Sequence, residues 1–164
     1  MRGEGRMELD QELAAVGSLA LREYIAVHDQ IFATSLWRSL RRVLPIPGLF
    51  ERIPYAAHSR TLVKVRASCA DLRVKAGSAL VTALPLSARA QYLESFADYI
   101  EALSQTVSKL LEICDDLADS ANGHSSDSLS QYWRNCEEYD RLRAMYAALG
   151  HRLNAAYGLA SREA

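Results

Sequence analysis

The sequence has few of the residues that build disulfide scaffolds, metal centres and rigid loops. It contains three cysteines, four histidines and four prolines in 164 residues. Cys69, Cys114 and Cys136 are odd in number and far apart, whereas a disulfide framework needs an even, dense set and a zinc site needs close pairs. We therefore expect three reduced thiols that serve as small core residues, and we expect no cofactor.

Long apolar runs are also missing. No apolar run typical of a signal peptide follows the charged first residues, Met1 to Arg6. The longest weakly charged stretch, Ala76 to Leu86, is much shorter than the roughly 18 apolar residues that span a bilayer. Together with the reduced thiols, this predicts a cytoplasmic protein, which we expect to be bacterial and without a membrane partner.

Motifs that carry known chemistry are absent as well. A di-iron site in a helical bundle needs Glu-x-x-His pairs, and no histidine here has a glutamate three residues before it. Asp115, Asp116 and Asp119 lack the twelve-residue loop that gathers calcium ligands. No glycine-rich phosphate loop and no Gly-x-Ser-x-Gly turn occurs. We predict no metal ligands, and the sequence favours a protein that does not act as an enzyme.

Alanine, leucine and arginine are abundant, and these residues lose little free energy on entering a helix. Proline and glycine interrupt the helical periodicity in three places, at Leu44–Gly48, Leu84–Ser87 and Ala121–Asp127. The chain length fits one domain, residues 1–164. The prediction is an all-α, up-and-down antiparallel four-helix bundle whose long helices cover about 7–44, 54–83, 87–120 and 128–158.

The third helix has the clearest pattern. Its apolar residues repeat at alternating spacings of four and three, which is typical of coiled-coil packing at shallow angles: Leu93, Phe96, Ile100, Leu103, Val107, Leu110, Cys114 and Leu117. The second helix is rich in alanine, serine and glycine, and we expect these small residues to let its neighbours approach closely. Ser87 is the expected N-cap of the third helix.

Charge is unevenly distributed along the chain. The segment Arg38–Lys75 carries a net charge of +7, and Glu94–Asp140 carries −9, although the whole chain has a net charge of −1. One interpretation is that the basic second helix forms ion pairs with the acidic third helix. The other is that the basic residues bind nucleic-acid phosphates, with Arg60, Lys64, Arg66 and Arg73 as the candidates.

Two turns carry apolar residues, Ile46–Phe50 and Leu84–Leu86. Ile46, Leu49 and Phe50 are the candidate residues for contact with a protein partner, because an apolar loop rarely buries itself unaided. The alternative is that this turn covers the end of the core.

Arg22 and His28 are six residues apart, and Arg52 and His58 repeat this spacing. In size, helical character and this Arg–His spacing the chain resembles the helical ribonucleases of the HEPN kind, in which such a pair stabilises a phosphate and moves a proton. A match of this length is expected by chance in a chain so rich in arginine. The alternative is that His28 is half-buried and hydrogen-bonded beside Asp29 or Tyr24.

The sequence therefore predicts a non-catalytic helical bundle that acts through protein–protein interaction or through self-assembly into a homo-oligomer. The first alternative is a small nucleic-acid-binding subunit that uses the Arg38–Lys75 region. A ribonuclease of the HEPN kind is the third candidate function, after these two.

Overall fold

The computed structural model describes the backbone of residues 4–41, 54–121 and 129–163, and the side chains of 8–32, 54–120 and 130–162. Its helices are α1 (Glu4–Arg41), α2 (Tyr55–Val81), α3 (Ala88–Ala121) and α4 (Leu129–Glu163). Each helix packs against the next in the chain, and the ion pairs Lys75–Glu12 and Lys109–Glu138 join opposite ends of consecutive helices. The predicted up-and-down four-helix bundle is confirmed.

The helix ends follow from local chemistry. Ser87 is the N-cap of α3, because its hydroxyl accepts a hydrogen bond from the Ala90 amide at 3.1 Å. Pro54 precedes α2, and its carbonyl accepts the amides of Ala57 and His58. We expected the fourth helix to fray near Gly158, but α4 continues to Glu163. A single glycine costs about 1 kcal/mol in a helix, which good helix formers on both sides can absorb.

The helix α3 forms the centre of the core. Leu93, Ile100, Leu103, Val107 and Leu110 are completely buried. Both α2 and α4 pack along α3, so the predicted heptad pattern marks the helix that has neighbours on several sides.

The helix α1 departs from a symmetric bundle. It packs against α2 and also approaches α3, whereas no described Cα atom of α1 lies within 8 Å of a Cα atom of α4. The approach to α3 is close at Gly17, where an added Cβ atom would lie 3.5 Å from the Phe96 ring, in ordinary van der Waals contact. The result is a cleft between α1 and α4.

The small residues of α2 were expected to pack closely against neighbouring helices, and this is wrong for most of them. Ala76 and Ala79 are buried against neighbouring helices. Ala56, Ala67, Ala70, Gly77 and Ser78 instead face solvent. The large residues Leu62, Val65 and Leu72 form the buried face. Burial favours the side chains with more apolar area, and the small residues lie on the opposite side of the helix.

Within the described part of the chain, no helix has the length and apolar character that crossing a membrane requires.

Candidate functional site

The outer face of α2 carries an unusual row of residues. Exposed residues recur at alternating spacings of four and three along the whole helix, and all except Arg60 are small or apolar: Ala56, Arg60, Val63, Ala67, Ala70, Val74, Gly77 and Val81. We call this row the outer stripe. A helix turns 100° per residue, so the outer stripe lies opposite the buried face of α2. An outward face is ordinarily polar or charged.

The outer stripe has no partner in the described chain. Val74 is 69% exposed and Val81 is 87% exposed. A Cβ atom added at Gly77 would meet no other atom within 4 Å. A period of 3.5 residues is the pattern with which one helix packs against another, so the outer stripe has the geometry of a helix–helix contact surface.

The basic residues of α2 divide into two groups. Arg73 forms an ion pair with Glu101 of α3, and Lys75 forms one with Glu12 of α1 at 2.7 Å. The Arg73–Glu101 pair is the expected pairing of α2 with the acidic α3, whereas the partner of Lys75 lies on α1.

The other basic residues have no carboxylate partner among the residues that the structure describes. Arg60 donates a hydrogen bond only to the Ala56 carbonyl of its own helix, at 3.2 Å. Lys64 and Arg66 are exposed. Of the four candidates for nucleic-acid binding, Arg73 is thus paired with Glu101 at the surface, whereas Arg60, Lys64 and Arg66 have no acidic partner among the described residues.

Charged residues border the outer stripe on both sides. Lys64 and Asp71, both exposed, lie directly beside the stripe on one side. Arg66 and Arg73 lie on the other side. In helix pairs, residues in these flanking positions determine which helix is accepted and in which orientation.

His28 lies in the cleft between α1 and α4. Its Nδ1 atom is 2.7 Å from the Tyr139 hydroxyl, which is also 2.7 Å from the Tyr24 hydroxyl. The partner of His28 is therefore Tyr139 of α4, rather than Asp29 or Tyr24 as expected. Burial, followed by the nearby Arg143 charge, lowers the pKa of His28. The Phe32 ring stacks on the Tyr139 ring at 5.4 Å between centroids.

Neither Arg–His pair is assembled in the described residues. Arg22 is exposed and His28 is half-buried, and six residues along a helix separate two side chains by about 120° around the axis. His58 is buried, its pKa is lowered by that burial, and its Nε2 atom has no hydrogen-bond partner in the described chain. Arg52 lies outside the described residues.

The three candidates for partner contact, Ile46, Leu49 and Phe50, also lie outside the described residues. The second apolar turn is described, and it is open to solvent: Leu84 is 73% exposed and Leu86 is 92% exposed. Leu86 has a positive φ of 61°, which is costly for a residue with a side chain.

The cysteines of the chain are free thiols, with Cys69 and Cys114 buried and Cys136 half-buried. Burial raises the pKa of Cys69 to about 11, which keeps this thiol protonated and unreactive. In the parts of the chain that the structure describes, no three histidine, cysteine or acidic side chains cluster closely enough to hold a metal ion.

The outer stripe is the feature that sequence reasoning missed. The signal was present, because the apolar and small residues of α2 form two rows on opposite sides of the helix. From the sequence, only the small residues of α2 are assigned to packing inside the bundle, and the two rows are not separated.

Comparisons with protein-family models, with curated proteins and with solved structures found no match to this chain.

Proposed function

We propose that this chain is a non-catalytic, self-assembling helical bundle of the cytoplasm, and that two copies associate through the outer stripes of their α2 helices. The observation that supports this proposal is the exposed 3.5-residue repeat opposite the core. Such a repeat buries apolar area only when a second helix covers it.

The outer stripe is complementary to itself when two α2 helices run antiparallel. In the antiparallel register that places every residue of one stripe opposite a residue of the other, Val63 faces Val74 of the second copy and Ala67 faces Ala70. Arg60, the one large polar residue of the stripe, then faces Gly77, where space is open. The small side chains of Ala67 and Ala70 at the centre allow the helix axes to approach to about 8 Å.

The flanking charges favour the same arrangement. Lys64 of each copy lies beside Asp71 of the other, so the antiparallel pair gains two ion pairs related by the twofold axis. On the opposite side Arg66 lies near Arg73, whose charge Glu101 already balances. A parallel pair would instead place Arg60 against Arg60 of the second copy, which is unfavourable.

Light scattering coupled to size-exclusion chromatography, over a concentration series, tests the proposal. We expect the molar mass to rise from that of the 18.2 kDa chain towards twice this value as concentration increases. Ala67→Glu places a carboxylate at the centre of the stripe and abolishes the dimer. Ala148→Glu is the matched control, because Ala148 is an exposed alanine of α4. A monomer at every concentration refutes the proposal.

Charge exchange tests the orientation. Lys64→Asp and Asp71→Lys each replace two attractive contacts by repulsive ones, so each weakens the dimer. The double variant restores the pairs with reversed sign and recovers the affinity. If the two substitutions are simply additive, the residues do not meet across the interface and the antiparallel register is wrong.

The second candidate is a nucleic-acid-binding subunit, and the free charges of Arg60, Lys64 and Arg66 favour it. Arg66→Glu separates the two functions. It places no like charge beside Arg73 of the second copy, so it leaves the dimer intact, whereas it weakens binding to phosphates. A protein purified with a raised absorbance at 260 nm, which high salt removes and Arg66→Glu abolishes, supports nucleic-acid binding.

A further inference from the structure

The cleft between α1 and α4 contains a cavity of about 400 Å³ that is half open to solvent. This volume lies in the range of pockets for small molecules, about 300–1,000 Å³. Its floor is α3, which contributes Tyr92, Phe96 and Tyr99. The cavity is separate from the outer stripe, which lies on α2.

Glycines create the space. Gly17 of α1 and Gly150 of α4 both line the cavity. A Cβ atom at Gly150 would lie 3.3 Å from the Tyr99 ring, and one at Gly17 would lie 3.5 Å from the Phe96 ring. Larger side chains at these positions would occupy the cavity.

The lining is aromatic and contains no charged residue. The centroid of the Tyr92 ring lies 5.5 Å from that of the Tyr157 ring and 6.1 Å from that of the Phe96 ring. Aromatic walls favour a flat, apolar molecule, which can stack on them or meet them edge to face. An ion would lose its hydration here without gaining an opposite charge.

Two hydroxyl groups of the lining lack partners. Tyr92 is 3% exposed and Tyr99 is 9% exposed, and neither hydroxyl forms a hydrogen bond with any described residue. Neither oxygen is completely buried, so each is accessible from solvent. Burial raises the pKa of both tyrosines to about 12, so each hydroxyl keeps its proton and can donate it to a ligand.

We propose that this cavity binds an uncharged, planar aromatic molecule of about two fused rings that carries a hydroxyl or carbonyl oxygen. The rings lie against Phe96 and Tyr92, and the oxygen accepts a hydrogen bond from Tyr99 or Tyr92. A molecule of two fused rings is small enough for this volume. The lack of charge follows from the lining, and the oxygen follows from the two tyrosine hydroxyls, which bond to no described residue.

The probes for the test are 2-naphthol and naphthalene, with binding to the full-length protein measured by ligand-observed NMR and, for 2-naphthol, by calorimetry. We expect one 2-naphthol per chain and roughly tenfold weaker binding of naphthalene, which lacks the oxygen. Changing both tyrosines to phenylalanine should remove this preference and leave naphthalene binding unchanged. A protein that binds neither compound, or both equally, contradicts the proposal.

Filling the cavity locates the binding site. Gly17→Leu should abolish binding of both probes, and Leu153→Trp should do so from the α4 side if Gly17→Leu proves poorly folded. Gly158→Leu is the matched control, because a side chain at this α4 glycine meets no atom within 4 Å. Circular dichroism and thermal melting establish that each variant is folded. Unchanged binding in a folded Gly17→Leu or Leu153→Trp variant overturns the proposal.

Discussion

The hydrogen-bonded chain Tyr24–Tyr139–His28 joins α1 to α4 across the cleft, where the two backbones do not meet. Tyr139 is its central member, since its single hydroxyl contacts both other groups. That hydroxyl can donate only one proton, so one of the two neighbours must donate to it. Burial raises the pKa of Tyr24 and of Tyr139, which keeps both hydroxyls protonated.

Tyr139→Phe should therefore be costly. It leaves the Tyr24 hydroxyl without its partner in a position that is 1% exposed, which costs about 1–3 kcal/mol. It also removes the bond to His28, worth about 0.5–1.5 kcal/mol. We expect the free energy of unfolding to fall by roughly 2–4 kcal/mol, compared with about 1 kcal/mol for Tyr24→Phe, after which Tyr139 still bonds to His28.

The measurement is urea denaturation followed by far-ultraviolet circular dichroism, at a protein concentration where the monomer prevails. Tyr157→Phe is the control, because Tyr157 is 47% exposed, and it should change stability little. If Tyr139→Phe costs no more than Tyr24→Phe, the hydroxyl is not a shared partner and the argument fails.

Two further predictions concern strain and pH. Leu86→Gly should raise the free energy of unfolding by about 0.5 kcal/mol, because it relieves a positive φ at an exposed side chain. The control Leu84→Gly should instead lower the free energy of unfolding, and denaturation measures both variants. Since burial lowers the pKa of His58, the unfolded chain binds the extra proton first, and stability should fall as pH decreases below about 6.5 by at most about 1.4 kcal/mol per pH unit. His58→Leu should make this decrease shallower in melts between pH 7 and 5, and an unchanged slope would show that His58 is not responsible.

The sequence predicted those features that depend on one helix at a time. The heptad pattern of the third helix places Leu93, Ile100 and Leu110 in the core, because a residue with neighbours on every side must be apolar. In α4 the predicted apolar row is less deeply buried. Tyr139 is buried, but Tyr132 and Leu149 are only half-buried, because α4 has α3 on one side and a cleft on the other.

Features that depend on two distant helices could not be predicted. Tyr139 and His28 are 111 positions apart, and their contact requires a particular rotation of each helix about its axis. The cavity likewise depends on α1 lying towards α3. The outer stripe was visible as a pattern, but a sequence does not show which of two apolar faces is turned to the core.

The arrangement of α1 has a consequence for the order in which the chain unfolds. α2, α3 and α4 form an uninterrupted series of backbone packing, whereas α1 is held to α4 by side chains alone. Because each helix packs mainly on its neighbour in the chain, contact order is low and the helical hairpins can form quickly. Backbone amides of α1 should then exchange with deuterium before those of α3, as a separate cooperative unit. Detachment of α1 exposes the tyrosines of the cleft while the α2–α4 unit stays folded.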